Sequence, residues 1–281
     1  MPYISSYIKG NAFAEWLSTG RNDAHKGANL SYSDITKLGL ELGQFACYEG
    51  AIYRAVRARG ALTGEGYILK TYANAAGRTG TATAASTKAV MVTADTLVKG
   101  DLKGGRVWRP SGTGSTEAPR NIVDNNDAAG ASTVTVAKRV SHLNRAATTA
   151  ADGFDTAPDG TSTYNLHCDW EVVETSGVGD TVVGAALGAV TDGNLTIILV
   201  ESPYALIRCV GSTDALTALG TLVPSATAGI AKGFTTAGET AAEARLSFGS
   251  PYDAYTGASA LRVCRLFGKF AIGGQRNVYP N

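Results

Sequence analysis

Between Val182 and Lys232 the chain reads VVGAALGAVTDGNLTIILVESPYALIRCVGSTDALTALGTLVPSATAGIAK. Short apolar runs end in Gly, Asp or Pro every 8 to 12 residues. Runs of that length are too short for helices, and Gly and Pro stop each one before a helical period can build. Regularly spaced short strands with tight turns make a sandwich or a barrel. The same writing recurs outside this stretch. Ala51–Ala58 (AIYRAVRA) follows a Glu49-Gly50 turn, and Thr63 to Gly66 turns into Tyr67–Tyr72. Val90–Val98, Gly105–Trp108 and Ala131–Val140 read as strands, and so do Leu166–Val173, Thr196–Val200, Ala205–Cys209, Leu219–Val223 and Leu261–Phe267. No strand-helix-strand unit of sufficient length appears. The expected class is all-β, a barrel or sandwich of short antiparallel strands with an extended N-terminal arm and little helix.

The arm is expected over residues 1–44. Tyr3, Ile4, Tyr7, Ile8, Phe13 and Trp16 are apolar anchors without a sustained period, which suits a segment that orders on a neighbouring subunit. Ser31 or Ser33 followed by Asp34 offers a cap for a short helix, and strand-like alternation is expected from Leu38 onward. Residues 45–281 form the β-rich body. Within it, 73–165 is rich in loops and is a candidate separate subdomain.

Composition narrows the partners. Hydrophobic residues make up 44% of the 281, enough for a core, while charged residues are only 17%, below the roughly 25% of ordinary domains. Net charge is +1, so no nucleic-acid-binding face is expected. Arg54, Arg57, Arg59, Arg106 and Arg109 read as strand-edge or ion-pairing residues. No apolar run approaches the length of a membrane span, and the N-terminus lacks the apolar region of a secretory signal. Cys47, Cys168, Cys209 and Cys264 are widely separated and read as buried free thiols of a reduced, cytoplasmically made protein.

Chemistry-bearing motifs are lacking. Gly112-Thr113-Gly114 and the glycines from Gly184 to Gly188 are not followed by the Lys-Ser/Thr of a phosphate loop. His167-Cys168-Asp169 puts two potential ligands on one strand face and turns Cys168 away, short of a metal site. Asp152, Asp155 and Asp159 lack the spacing of a calcium loop and read as turn caps, as do Asp124 and Asp127. Trp16, Trp108 and Trp170 read as core or interface anchors rather than a sugar platform. No catalytic, cofactor or metal residue is expected.

Two passages carry a resemblance to a known family. GAIYRAVRARGALTGEGYILKTY (residues 50–72) pairs an aromatic-plus-Arg strand with a GALxxGE-like turn and an outgoing strand. Residues 182–233 follow with GxALGxVTDG, two strands, a glycine turn, LxPS and TAG, and ASTVTVAKRV lies between. In pattern and order these resemble capsid decoration, or cement, proteins of tailed phages. The resemblance implies a non-enzymatic virion protein on the capsid exterior that bridges neighbouring major capsid protein subunits, is itself a dimer or trimer, and binds no cofactor. A many-anchored arm could bury on the order of 1,200–2,000 Å² in such a role. Two other classes remain open: another phage structural part (tail, neck or fibre base) and a carbohydrate-binding module.

Overall fold

A computed structural model describes residues 16, 29–72, 79–94, 97, 99–126, 131–137, 153–168, 170–212, 215–234 and 245–267. The chain folds as two compact units, one made of Met1–Thr71 with Trp170–Asn281 and the other of Tyr72–Asp169. Each carries its own antiparallel-dominated sheet, and the protein is all-β with little helix. The smaller unit is inserted in the chain between two strands of the larger. The stretch read as loop-rich holds strands of its own.

Strands are numbered along the chain. The larger unit contains β1 (Phe45–Tyr48), β2 (Ala51–Ala58), β3 (Ile68–Thr71), β10 (Glu171–Glu174), β11 (Val182–Ala186), β12 (Leu195–Val210), β13 (Leu222–Pro224), β14 (Ala231–Gly233), β15 (Gly249–Pro251) and β16 (Ala260–Leu266). Their pairings close on themselves twice. One ring runs β2-β10-β3-β11-β12 and back to β2; the other runs β12-β14-β13-β15-β16 and back to β12. The 16-residue strand β12 belongs to both. Its first half pairs with β2 through Leu195–Glu201, and its second with β16 through Ser202–Cys209. The sequence suggested two strands here because Pro203 interrupts the run. In the structure Pro203 falls where the β12–β16 register shifts, between Ser202 and Ala205. A bulge needs no ladder N–H at that position, so proline is tolerated and the strand continues.

The two rings share one topology. In each, the first strand pairs in parallel with the third and antiparallel with the fifth. The sequence repeats with it, at an offset of 154 residues: Ala51/Ala205, Arg54/Arg208, Val56/Val210, Ala61/Ala215, Leu62/Leu216, Thr63/Thr217 and Gly66/Gly220 are identical pairs. Equivalent bonds follow. Leu62 and Val190 exchange both backbone hydrogen bonds (2.8 and 3.0 Å), as do Leu216 and Tyr255 (2.8 and 2.9 Å). Arg54 stacks over Phe45 at 4.6 Å and Arg208 over Tyr67 at 5.1 Å. The turn differs by one residue: Gly66, with φ 78°, bonds Ala186 O, whereas Leu219, with φ 58°, bonds Pro251 O.

Gly66 also ties the rings together. Its carbonyl accepts from Arg208 N at 2.9 Å, and a Cβ there would sit 2.9 Å from both Arg208 N and Leu206 O. Only glycine meets both the left-handed φ and that approach.

The segment expected as an arm is, from Asn29 to Gln44, part of this body. Ser31 caps helix Tyr32–Lys37 in a capping box with Asp34. The two Ser31 hydrogen bonds hold the Asp34 carboxyl below its usual range. Leu38 and Leu40 alternate as a strand would, but they continue the helix into a turn. With Ile35 they bury against Ala46, Ala55, Leu195 and Ile197, because a helix this short gains little unless its apolar side is covered. Other boundaries also moved. Leu166–Val173 spans parts of two strands on different units, β9 (Thr163–His167) and β10. Cys47, read as buried, is exposed because it alternates with buried Ala46 on β1. Cys168, Cys209 and Cys264 are buried, and all four thiols are free.

The smaller unit holds β4 (Thr79–Thr81), β5 (Val90–Thr93), β6 (Arg106–Trp108), β7 (Arg120–Asn125), β8 (Ser132–Val136) and β9 (Thr163–His167), in the order β4-β9-β6-β7-β8-β5. The bridge Ala82↔Thr93 and the bond from Thr83 N to Val92 O (2.9 Å) join the two ends. Its loops converge on Glu117. That carboxylate pairs with buried Arg109 at 2.6 Å and accepts from Asp155 N and Thr156 N at 2.9 and 2.8 Å. Arg120 reaches Glu117, Asp155 and Gly153 O. Burial would raise the Glu117 pKa, but the two backbone N–H donors and Arg109 outweigh it and hold the carboxyl below its ordinary value.

Two outcomes follow. Gly66→Ala should cost about 2 kcal/mol or more in urea unfolding, since the left-handed conformation alone costs roughly 1–2 kcal/mol for a residue with a Cβ; an unchanged midpoint would refute the Gly66 tie. Glu117→Gln should cost about 3 kcal/mol at neutral pH by stranding Arg109. A carboxyl with a depressed folded pKa stabilises above its ordinary value and loses that contribution as pH falls. The gap between wild type and Glu117→Gln should therefore shrink on acidification, and a pH-independent gap contradicts the assignment.

Candidate interaction face

The outward side of the second ring is built by β12, β16 and the residues after β15. Antiparallel register sets Leu206 opposite Val263, and Arg208 opposite Leu261. Alternation turns Ala205, Ile207, Cys209 and Cys264 into the core and leaves Leu206 and Val263 outside. Tyr252 bonds through its N–H to Val263 O at 3.1 Å, which extends this row by one strand. Its ring stacks on Tyr204 with centroids 5.5 Å apart, and its hydroxyl donates to Pro203 O at 2.7 Å. The β12 irregularity thus does structural and positional work: it lets Pro203 into the strand and lifts Tyr204 to the surface.

Five of the seven exposed large hydrophobic side chains among the described residues lie on or beside this face: Tyr204 (73% exposed), Leu219 (73%), Leu206 (42%), Val263 (41%) and Phe267 (41%). Single exposed apolar residues are ordinary; a cluster that takes most of them is the mark of a contact surface. Leu219 N–H bonds Pro251 O, next to Tyr252, and Leu219 holds a positive φ that its first-ring counterpart gives to glycine. A bulky residue in that conformation stores strain, and strain concentrates at functional positions.

The two outward arginines of the face are held by aromatic rings. Arg208 lies over Tyr67 and Arg265 over Phe267, each 5.1 Å from the centroid. On the other side of β16, Arg262 lies over Tyr255 at 4.7 Å and 3.5 Å from Asp253. Below the face, Cys209 and Cys264 sulfurs stand 4.0 Å apart. The Cys264 contact and then burial push the Cys209 thiol far above its ordinary range, so it is a protonated, unreactive core residue.

The residues singled out from sequence fall elsewhere. Of the arm anchors, Trp16 is half-buried and packs on the Ile35–Leu40 cluster of its own chain. Tyr3, Ile4, Tyr7, Ile8 and Phe13 lie outside the described residues. Arg59 pairs with Glu171 at 2.6 Å and Arg109 with Glu117; Arg57 is buried, so these arginines form no common basic surface. His167 packs edge-on against Trp108, Cys168 is buried, and Asp169 lies outside the described residues. No group of three potential metal ligands occurs among the described residues. Asp159 accepts from Thr113, Thr161 and Ser162, and those bonds, Thr161 first, hold it well below the carboxylate range as a turn cap. Trp170 is buried against Gly43. The strands of the face were legible in sequence, but no local signal said which side of them stays open.

No protein-family model, curated protein or solved structure matches this chain. No helix among the described residues is long and apolar enough to cross a membrane.

Because Leu219 pays for its φ, Leu219→Gly should raise unfolding stability, by about 1 kcal/mol. Equilibrium urea denaturation reads this directly; a loss of stability would mean that the Leu219 side chain is held by packing rather than displayed.

Proposed function

We propose that this chain is a non-enzymatic structural protein that decorates the exterior of a tailed-phage capsid, binding the major capsid protein and assembling with itself as a dimer or trimer. The observation that carries the reading is the open apolar-aromatic face on a body whose strands close into rings. Closed rings leave few free strand edges for indiscriminate pairing, so association is directed to a side-chain surface. The chemistry-bearing side chains fit the same reading: Asp159 caps a turn, Glu117 and its arginines clamp loops, and Cys209 is a protonated core thiol. Near-neutral net charge suits an outer skin rather than a lumen packed with DNA. The resemblance of residues 50–72 and 182–233 to cement proteins supplies the virion setting.

Purified full-length protein should bind heads stripped of decoration in hundreds of copies and raise the temperature at which they release DNA. Leu206→Glu should abolish binding while the variant stays folded by circular dichroism. Occupancy in only a handful of copies would favour a tail, neck or fibre-base part, and binding to glycans instead of heads would favour a carbohydrate-binding module. A chain lacking residues 1–15 tests the arm separately: undiminished binding removes the arm anchors from the contact.

A further inference from the structure

Arg208 and Arg265 mark what the face recognises. Both project from its outward rows, Arg208 opposite Leu261 on β16 and Arg265 opposite Ser250 on β15. Each is positioned by an aromatic ring, and neither has a carboxylate within 4.0 Å among the described residues. Buried Arg208 Nε makes no hydrogen bond. Elsewhere in the protein the comparable arginines are paired: Arg59 with Glu171, Arg109 and Arg120 with Glu117, Arg262 with Asp253. A guanidinium pre-placed on a ring has lost much of its rotamer freedom and presents a planar fork suited to a carboxylate. Between the two arginines lie Leu206, Val263 and the Tyr204–Tyr252 stack, apolar and only part-covered.

We propose that this face docks a polypeptide segment of alternating apolar and acidic side chains: aliphatic or aromatic residues seat on the Leu206–Val263–Tyr252 row, and flanking Asp or Glu carboxylates pair with Arg208 and Arg265. The proposal deepens the reading of the face as the contact surface and is independent of the virion setting. Aromatic and arginine anchors around an apolar centre are the composition from which interface affinity is usually built. The rim charges set specificity and association rate more than affinity.

The test uses the full-length protein and two fluorescent dodecapeptides of the same Leu/Tyr spacing, one with Glu at the alternate positions and one with Lys, titrated by fluorescence anisotropy at low and high salt. The Glu peptide should bind at least tenfold tighter than the Lys peptide, and the preference should weaken with salt. Arg265→Glu should cut that preference by tenfold or more, and Leu206→Ser should weaken both peptides alike. Amide chemical-shift changes on β12 and β16 should locate the Glu peptide on the face even in the unsubstituted protein. Equal affinity for the two peptides, or retention of the preference in Arg265→Glu, overturns the proposal. Self-association that Leu206→Ser abolishes, without any peptide preference, also overturns it and assigns the face to a second copy. Failure to bind phage heads, with the peptide preference intact, would sink the virion reading alone.

Discussion

Strand β12 holds the larger unit together. Its first half completes one five-stranded ring and its second half begins another, so it is the strand common to both. Isolated short strands are marginal; a ring of five satisfies both edges of each member and encloses a core. Sharing one strand joins two such cores. Leu199 and Cys209 from its two halves lie in one apolar cluster with Leu222, Phe248 and Leu266. The irregularities at Glu201 and between Ser202 and Ala205 let the strand change partners without breaking. Gly66 adds a backbone bond from the first ring's turn to the second ring's stretch of β12.

The common strand also makes a rigid display surface. Leu206 and Val263 are fixed by ladder register, Tyr204 by the bulge, and Tyr252 by its bond to Val263 and its stack on Tyr204. None of them depends on a long loop. A pre-organised apolar surface loses little conformational entropy on association. The smaller unit follows the same logic with different means. Its strands are joined end to end by the Ala82–Thr93 bridge, and its loops by the part-buried carboxylate of Glu117, which pairs with two arginines and accepts from two backbone donors.

Some of this was legible in sequence. AIYRAVRA forms a strand over the residues that its alternation suggested, and Glu49-Gly50 makes the turn before it with both φ values positive. What failed has physical causes. Pro203 is a local stop signal that a bulge overrides. Strand β7 (RNIVDN) is polar enough to read as loop, because one of its faces is exposed. Leu38 and Leu40 fit a strand period equally well as a helix and its following turn, and only the capping box of Ser31 with Asp34 argued for the helix. The ring duplication was hidden because few residues survive at the 154-residue offset. Four of the seven kept pairs lie at the turn approach, Ala61 to Thr63 and Gly66, where backbone geometry is demanding, and three on β2 and β12, where most other positions accept any apolar residue. The uncovered apolar face was invisible for a related reason: alternation shows that a strand has two sides, but only assembly of the ring decides which one stays uncovered.

Native-state amide hydrogen exchange along β12 tests the shared strand most directly. If it is the common spine, the amides of Ile197–Leu199 and of Ile207–Cys209 exchange with one free energy, equal to that of global unfolding, and respond alike to denaturant. If the two halves exchange with separate free energies, the rings unfold independently, and the face has no rigid body beneath it.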